Sequence, residues 1–117
     1  MVYDVKEFDV ETGKPVLLTF KNKDFPPHNL LVVKPGKADE VANLAIALGN
    51  DGFGKQWRPD TPLILWGSTM IDYDEETVIS FIAPPPGDYP YVCTFPGHAM
   101  MMRGVMKVLP KGADKKK

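Results

Sequence analysis

Between Cys93 and Met102 the sequence reads Cys-Thr-Phe-Pro-Gly-His-Ala-Met-Met-Met, which sets a thiol, an imidazole and three thioethers within ten residues of chain. A second histidine, His28, lies far upstream between Pro27 and Asn29. The chain holds one cysteine and two histidines in all, so these residues are its whole stock of thiolate and imidazole ligands. Soft sulfur donors joined to imidazoles suit copper. Electron-transfer copper sites combine two His and one Cys in a near-trigonal plane with a weak, long axial Met. The four residues between Cys93 and His98 make a loop short enough to bend both side chains toward one point. Pro96-Gly97 supplies the turn, glycine being free to take positive φ.

Taken singly, each of these residues has an ordinary reading. A lone cysteine in a strand is commonly a small buried hydrophobe, a lone histidine a satisfied polar residue, and a run of methionines part of a core. The combination of Cys and His on one loop with a Pro-His-Asn segment at a strand start outweighs those readings. A Cys–His hydrolase would use Cys93 as nucleophile and a histidine as base, but no oxyanion motif or third orienting residue accompanies them. Multicopper chemistry needs more histidines, and a dinuclear copper centre needs a second cysteine. The chain is therefore not expected to be an enzyme. Structural zinc usually has four strong ligands and catalytic zinc three plus water, so the methionine-rich fourth side favours copper.

The elements that must position these residues are mostly strands separated by Pro and Gly. Candidate strands run over 5–10, 16–21, 29–33, 77–82, 89–93 and 104–109. Thr12-Gly13-Lys14-Pro15 reads as a turn, and Pro35-Gly36 and Pro84-Pro85-Pro86-Gly87 are breaks. Residues 89–93 would put Tyr89, Tyr91 and Cys93 on one face. This number and spacing of strands predicts an all-β protein, a Greek-key β-sandwich with one inserted short helix. The helix is expected over 38–48, where Val41, Leu44, Ala45 and Leu48 fall at i, i+3, i+4 and i+7 and Gly49-Asn50-Asp51-Gly52 supplies the stop. It is expected to lie outside the sandwich. Phe53, Trp57 and Trp66 would pin the long excursion that follows it, since large aromatics bury much area.

Length and composition fit one core. The chain has 117 residues, 44% of them hydrophobic, which suits a single domain over 1–110 with a polar, lysine-rich tail over 111–117. A net charge of −1 argues against nucleic acid as a partner, which is normally met by a basic face. No apolar run is long enough to span a bilayer. A single Cys forms no internal disulfide, so cysteine usage does not identify the compartment. No internal repeats are present, and the chain is expected to be a monomer.

With its CTFPGH string, a Met four residues after the His, and Pro27-His28-Asn29, the sequence resembles the blue copper proteins, or cupredoxins. Within them it is most similar to the azurin-like group, which also carries an inserted helix in a comparable place. The resemblance runs from the first strand through Val108. It implies a type 1 copper electron carrier that holds one copper ion, cycling between Cu(II) and Cu(I), through His28, Cys93, His98 and a weak axial Met102. Met101, one residue away, is the competing axial candidate. Pro27 stands where azurins carry glycine and would offer its backbone carbonyl. Phe95, unlike a proline there, keeps an N–H, so Phe95 and Asn29 can both donate to the Cys93 sulfur, and the Asn29 side chain would tie its strand to the ligand loop through Thr94. The resemblance also implies an apolar docking patch at the His98 edge, formed by Phe95, Pro96, Ala99, Met100 and Met101 with the Phe25-Pro26 turn. Its partner would be a redox protein such as a cytochrome or a dehydrogenase domain. A periplasmic or otherwise exported location is implied as well, although residues 1–4 lack the layout of a secretion signal. A copper carrier or store using the same ligands is the alternative.

Overall fold

The structure, a computed structural model, describes residues 3–112; residues 113–117 of the lysine-rich tail lie outside the described residues. Seven strands and one α-helix follow in the order β1 (Glu7–Glu11), β2 (Pro15–Lys21), β3 (Leu31–Val33), α1 (Ala38–Ile46), β4 (Ile64–Gly67), β5 (Glu76–Ile82), β6 (Gly87–Val92) and β7 (Arg103–Leu109). They form a five-stranded sheet of order β1-β7-β6-β3-β4 and a two-stranded sheet of β2 and β5. The chain passes back and forth between the two layers, and β1 lies parallel to β7 while the other pairs are antiparallel. The expected sandwich with one inserted helix is therefore present.

The period-2 pattern sets which residues meet between the layers. Val16 and Phe20 from β2 and Ile79 and Phe81 from β5 face Val32, Tyr89, Tyr91, Met106 and Val108 from the larger sheet. The alternate residues of β6 and β3 are buried too, because α1 covers the far face: Leu31, Val33 and Val92 pack with Ala38, Val41 and Ile64. Strands covered on both sides read as continuous apolar runs, which is why Leu30-Leu31-Val32-Val33 shows no alternation.

The helix lies outside the two sheets, as expected, and packs as an outer layer over β6; three other details differ. Its buried stripe is Ala38, Val41, Ala42 and Ala45, not the expected Val41, Leu44, Ala45 and Leu48; Leu44 is exposed and Leu48 only half-buried. The small alanines let the helix approach an already filled sheet face more closely than leucines would. The helix also stops at Ile46, and a single 3₁₀ turn, Gly49–Asp51, follows it, with Gly49 in the left-handed region. Finally, Trp66 belongs to a strand that its local sequence hides. At four residues, β4 is too short to display a period, yet it pairs with β3 and stacks Trp66 on Phe81 of the opposite sheet at 4.3 Å.

Strand ends shift where side chains compete for the backbone. The expected 29–33 strand narrows to Leu31–Val33 because Leu30 N–H donates to Ser68 Oγ rather than to a ladder partner. Among the described residues no helix is long and apolar enough to cross a membrane.

Two buried tyrosines tie the start of the chain to this core. Tyr3 donates its hydroxyl to Asn29 O at 2.6 Å, and Tyr91 donates to Val5 O. Burial, reinforced by Cys93 and Tyr91, holds Tyr3 well above the ordinary 10.0, and burial with Glu7 nearby pushes Tyr91 up to about 12. A folded pKa above the unfolded one means that the stabilisation is complete below pH 10 and is lost as pH rises towards 12. Urea unfolding at pH 8 and pH 11 should therefore show a clear loss at the higher pH. Tyr91→Phe should be less stable by about 1 kcal/mol at pH 8 and show a flatter alkaline decline. An equal decline in the variant would rule Tyr91 out as a contributor.

Candidate metal centre

The β6–β7 hairpin presents the ligand loop. Its ladder ends at the pair Val92 and Arg103, and one residue further on Cys93 N–H donates to Met102 O at 3.0 Å, so the loop 93–102 is closed by the two sulfur residues themselves. Within it, His98 N–H donates to Phe95 O at 3.0 Å, and Met101 and Met102 both donate to His98 O. Gly97 supports this tight turn at φ 84°, where a side chain would be strained.

His28 arrives on the segment that leads into β3, the strand paired with β6. It pairs with Ile71 through both backbone groups, His28 N–H to Ile71 O at 3.1 Å and Ile71 N–H to His28 O at 2.9 Å. The result is a convergence of three buried side chains. His28 Nδ1 and His98 Nδ1 stand 3.1 Å apart, and each is 3.7 Å from Cys93 Sγ. Among the described residues this is the single cluster of three or more His, Cys, Asp or Glu whose ligand atoms could share an ion.

The methionines separate by burial. Met102 is 1% exposed and lines a cavity of about 530 Å³ with His28, whereas Met100 and Met101 are 83% and 63% exposed. Phe95 tilts over the His98 ring at 4.8 Å and is half-buried, while Pro96 is exposed. Ala99 is half-buried and packs against the cluster of Leu31, Val33 and Val92. Phe25 is exposed and stacks on Tyr73 at 5.1 Å. Pro27 is half-buried and lines a shallow depression with Trp57 and Phe95.

Around the sulfur, the backbone N–H groups of Asn29 and Phe95 donate to Cys93. Asn29 and Thr94 lock the two ligand segments together: Thr94 N–H donates to Asn29 Oδ1 at 2.8 Å, and Asn29 Nδ2 donates to Thr94 Oγ1 at 2.9 Å. The Thr94 hydroxyl in turn donates to Trp57 O. That carbonyl is aimed by a strained turn, since Gln56 and Trp57 sit consecutively at φ 57° and 53°, a region non-glycine residues avoid.

Several participants carry no sequence signal. The Gln56–Trp57 brace depends on a backbone conformation that neither residue favours. Arg103 ties the loop to the helix, donating to Ala99 O and pairing with Asp39 of α1 at 2.7 Å. Asp24 meets His28 Nε2 at 3.1 Å. An Asp four residues before a His in a loop resembles any surface acid until the turn is known.

Electrostatically the cluster is set for a cation. Burial pushes the Cys93 thiol up, against the two N–H donors that favour its thiolate. Burial pulls His28 down despite Asp24, and burial together with His28 pulls His98 down. At neutral pH the two imidazoles are thus neutral and offer lone pairs beside a sulfur. A thiolate and two imidazoles, buried and converging, fit a soft transition-metal ion.

Comparison with known proteins gives a consistent picture. Residues 1–109 match the model of the copper-binding proteins of the plastocyanin/azurin family. The chain is 36% identical over 110 residues to Auracyanin-A of Chloroflexus aurantiacus, covering 92% of this chain and 67% of that protein. It is 43% identical over 84 residues to Auracyanin-B of the same organism, where the match spans only 36% of the relative. The solved structure of auracyanin A, described as a "blue" copper protein, superposes with a TM-score of 0.80 at 32% identity over 91% of this chain and 87% of that one. Dithionite-reduced auracyanin from Roseiflexus castenholzii superposes with a TM-score of 0.82 at 36% identity, covering 93% and 88%.

Proposed function

The chain belongs to the plastocyanin/azurin family of copper-binding proteins, and on that premise we propose that it is a blue copper electron carrier. His28 and His98 would hold one copper ion through Nδ1, Cys93 through its thiolate and Met102 as a weak thioether donor, with the Pro27 carbonyl as a further donor. The observation that carries this reading is the convergence of the chain's one cysteine and both histidines in a buried cluster. Burial favours Met102 over the exposed Met101 as the axial donor. Copper bound there supplies a one-electron Cu(II)/Cu(I) couple.

The chain's own residues make that couple usable. The Asn29–Thr94–Trp57 bonds and the Cys93–Met102 closure hold the donors in place, so little has to move when charge changes. The Asn29 and Phe95 N–H groups stabilise negative charge on sulfur and so tune the potential. Electrons would enter and leave at the His98 edge, beside Phe95, Met100 and Met101, which suits the small, weak encounters of redox partners. A cytochrome or dehydrogenase domain fits that description. The family membership supports a non-enzymatic role and an exported location.

The test is titration of metal-free protein with Cu(II). An intense blue band that saturates at one copper per chain and bleaches reversibly with ascorbate is the expected result. Because the thiol is protonated and the imidazoles neutral at pH 7, binding should release a proton and tighten about tenfold per pH unit until the thiol ionises. Tight binding without the blue band would overturn the electron-carrier reading in favour of copper carriage. Selective uptake of Zn(II) with no copper binding would overturn the metal assignment.

A further inference from the structure

His28 has two ends. Its Nδ1 faces Cys93 Sγ and His98 Nδ1 in the donor cluster, and its Nε2 faces Asp24 Oδ2 at 3.1 Å. Its counterpart differs, for His98 has no carboxylate partner among the described residues. Asp24 is not there by chance of a mobile surface loop. Its own N–H donates to Asn22 Oδ1 at 2.8 Å, and Asn22, buried at 1% exposure, spends its side-chain amide on Pro26 O at 2.9 Å and Ile71 O at 3.0 Å. The Asn22 backbone is held as well, donating to Glu75 O and accepting from Asp74 N–H. Asn22 therefore shapes the turn from β2 to His28 so that Asp24 ends beneath the imidazole. Ile71 O also accepts the His28 N–H, so the same carbonyl serves Asn22 and His28.

We infer that Asp24 is a positioning residue for the metal centre, taking the Nε2–H of His28 so that the Nδ1 lone pair points at the donor cluster and the imidazole becomes a stronger donor. The inference rests on the copper reading above and adds a division of labour to it. A ring hydrogen-bonded to a carboxylate has its tautomer and orientation set and its basicity raised. The negative charge one ring away stabilises the more highly charged metal state. His28 is thus the anchoring, electron-rich imidazole and favours Cu(II), while His98, lacking a carboxylate, is the imidazole through which charge passes outward.

The experiment compares the wild-type protein with Asp24→Asn, which keeps an acceptor but loses the charge, with Asp24→Ala, which loses both, and with Asp60→Asn, an exposed acid with no bond to the site. Two quantities are read: the reduction potential of the copper-loaded proteins, and the His28 tautomer by ¹⁵N NMR in the metal-free proteins. Asp24→Asn should remain blue while Cu(II) affinity falls relative to Cu(I) by about tenfold, a rise of about 59 mV for one electron. Asp24→Ala should shift at least as far, and its His28 should lose the single Nε2–H tautomer of the wild type. Asp60→Asn should match the wild type in both. Unchanged potentials in both Asp24 variants, an equal shift in Asp60→Asn, or an unchanged tautomer in Asp24→Ala would overturn the inference. A wild-type protein that never turns blue overturns the copper reading instead, and the metal-free tautomer measurement then decides the positioning role by itself.

Discussion

Cys93→Ser should abolish the intense visible band of the copper-loaded protein and weaken Cu(II) binding by more than about 100-fold, beyond the range seen when only a ligand's hydrogen-bond partner is removed. The reason is that Cys93 is the sole thiolate of the chain, and a serine hydroxyl at neutral pH is neither a soft donor nor an anion. Two imidazoles remain, so some weak, colourless binding should persist. The fold should survive, because serine nearly matches the side chain in size and can accept the same Asn29 and Phe95 N–H groups that now serve the sulfur. Far-UV circular dichroism unchanged from the wild type, together with visible spectra and a competitive copper titration, separates loss of the ligand from loss of structure. A serine variant that stays blue would remove Cys93 from the metal centre.

Gly104→Ala is expected to damage the fold severely for the addition of a single methyl group. Gly104 pairs with Tyr91 across β6 and β7, and the tyrosine ring lies over the glycine so closely that a Cβ would stand 2.1 Å from Tyr91 Cζ. That ring has nowhere to go: it meets Tyr3 edge-on at 5.3 Å, lies against Phe8 at 5.7 Å and donates its hydroxyl to Val5 O. Overpacking together with a displaced buried hydroxyl should cost on the order of 4 kcal/mol, which lowers the melting temperature by roughly 20 °C in a domain of this size. In a Tyr91→Leu background, where the ring is gone, the same glycine change should cost under about 1 kcal/mol. Equal costs in the two backgrounds would show that the ring is not the obstacle. Thermal or urea unfolding of the four proteins gives the answer.

The parts of this molecule that were legible in the sequence are those whose information is local. Cys93, His98 and the methionines occupy one loop, and the alternation of Ile79, Ser80 and Phe81 declares a half-buried strand. His28 was legible for a different reason, since the chain has no other imidazole to join His98. What stayed hidden depends on distant partners. The helix stripe could be read two ways until the filled face of Leu31, Val33 and Val92 selected alanines over leucines. Strand β4 exists only because β3 offers it an edge, and the paired left-handed residues Gln56 and Trp57 follow from what Thr94 and Asn29 require. Asp24 looked like any other acid because its place under His28 is set by Asn22, whose own bonds reach Ile71, far along the chain.

The parallel pairing of β1 with β7 sets Glu7 beside Val105, and so joins the two ends of the chain. Loop closures of that length are slow to reward, and sandwiches built from them fold in milliseconds to seconds. The β6–β7 hairpin is under no such restraint, being contiguous, and it can close while the rest of the chain is still searching. Cys93 and His98 would then stand together before His28 has arrived. The three-donor cluster would be completed only when β3 docks on β6 and brings His28 with it.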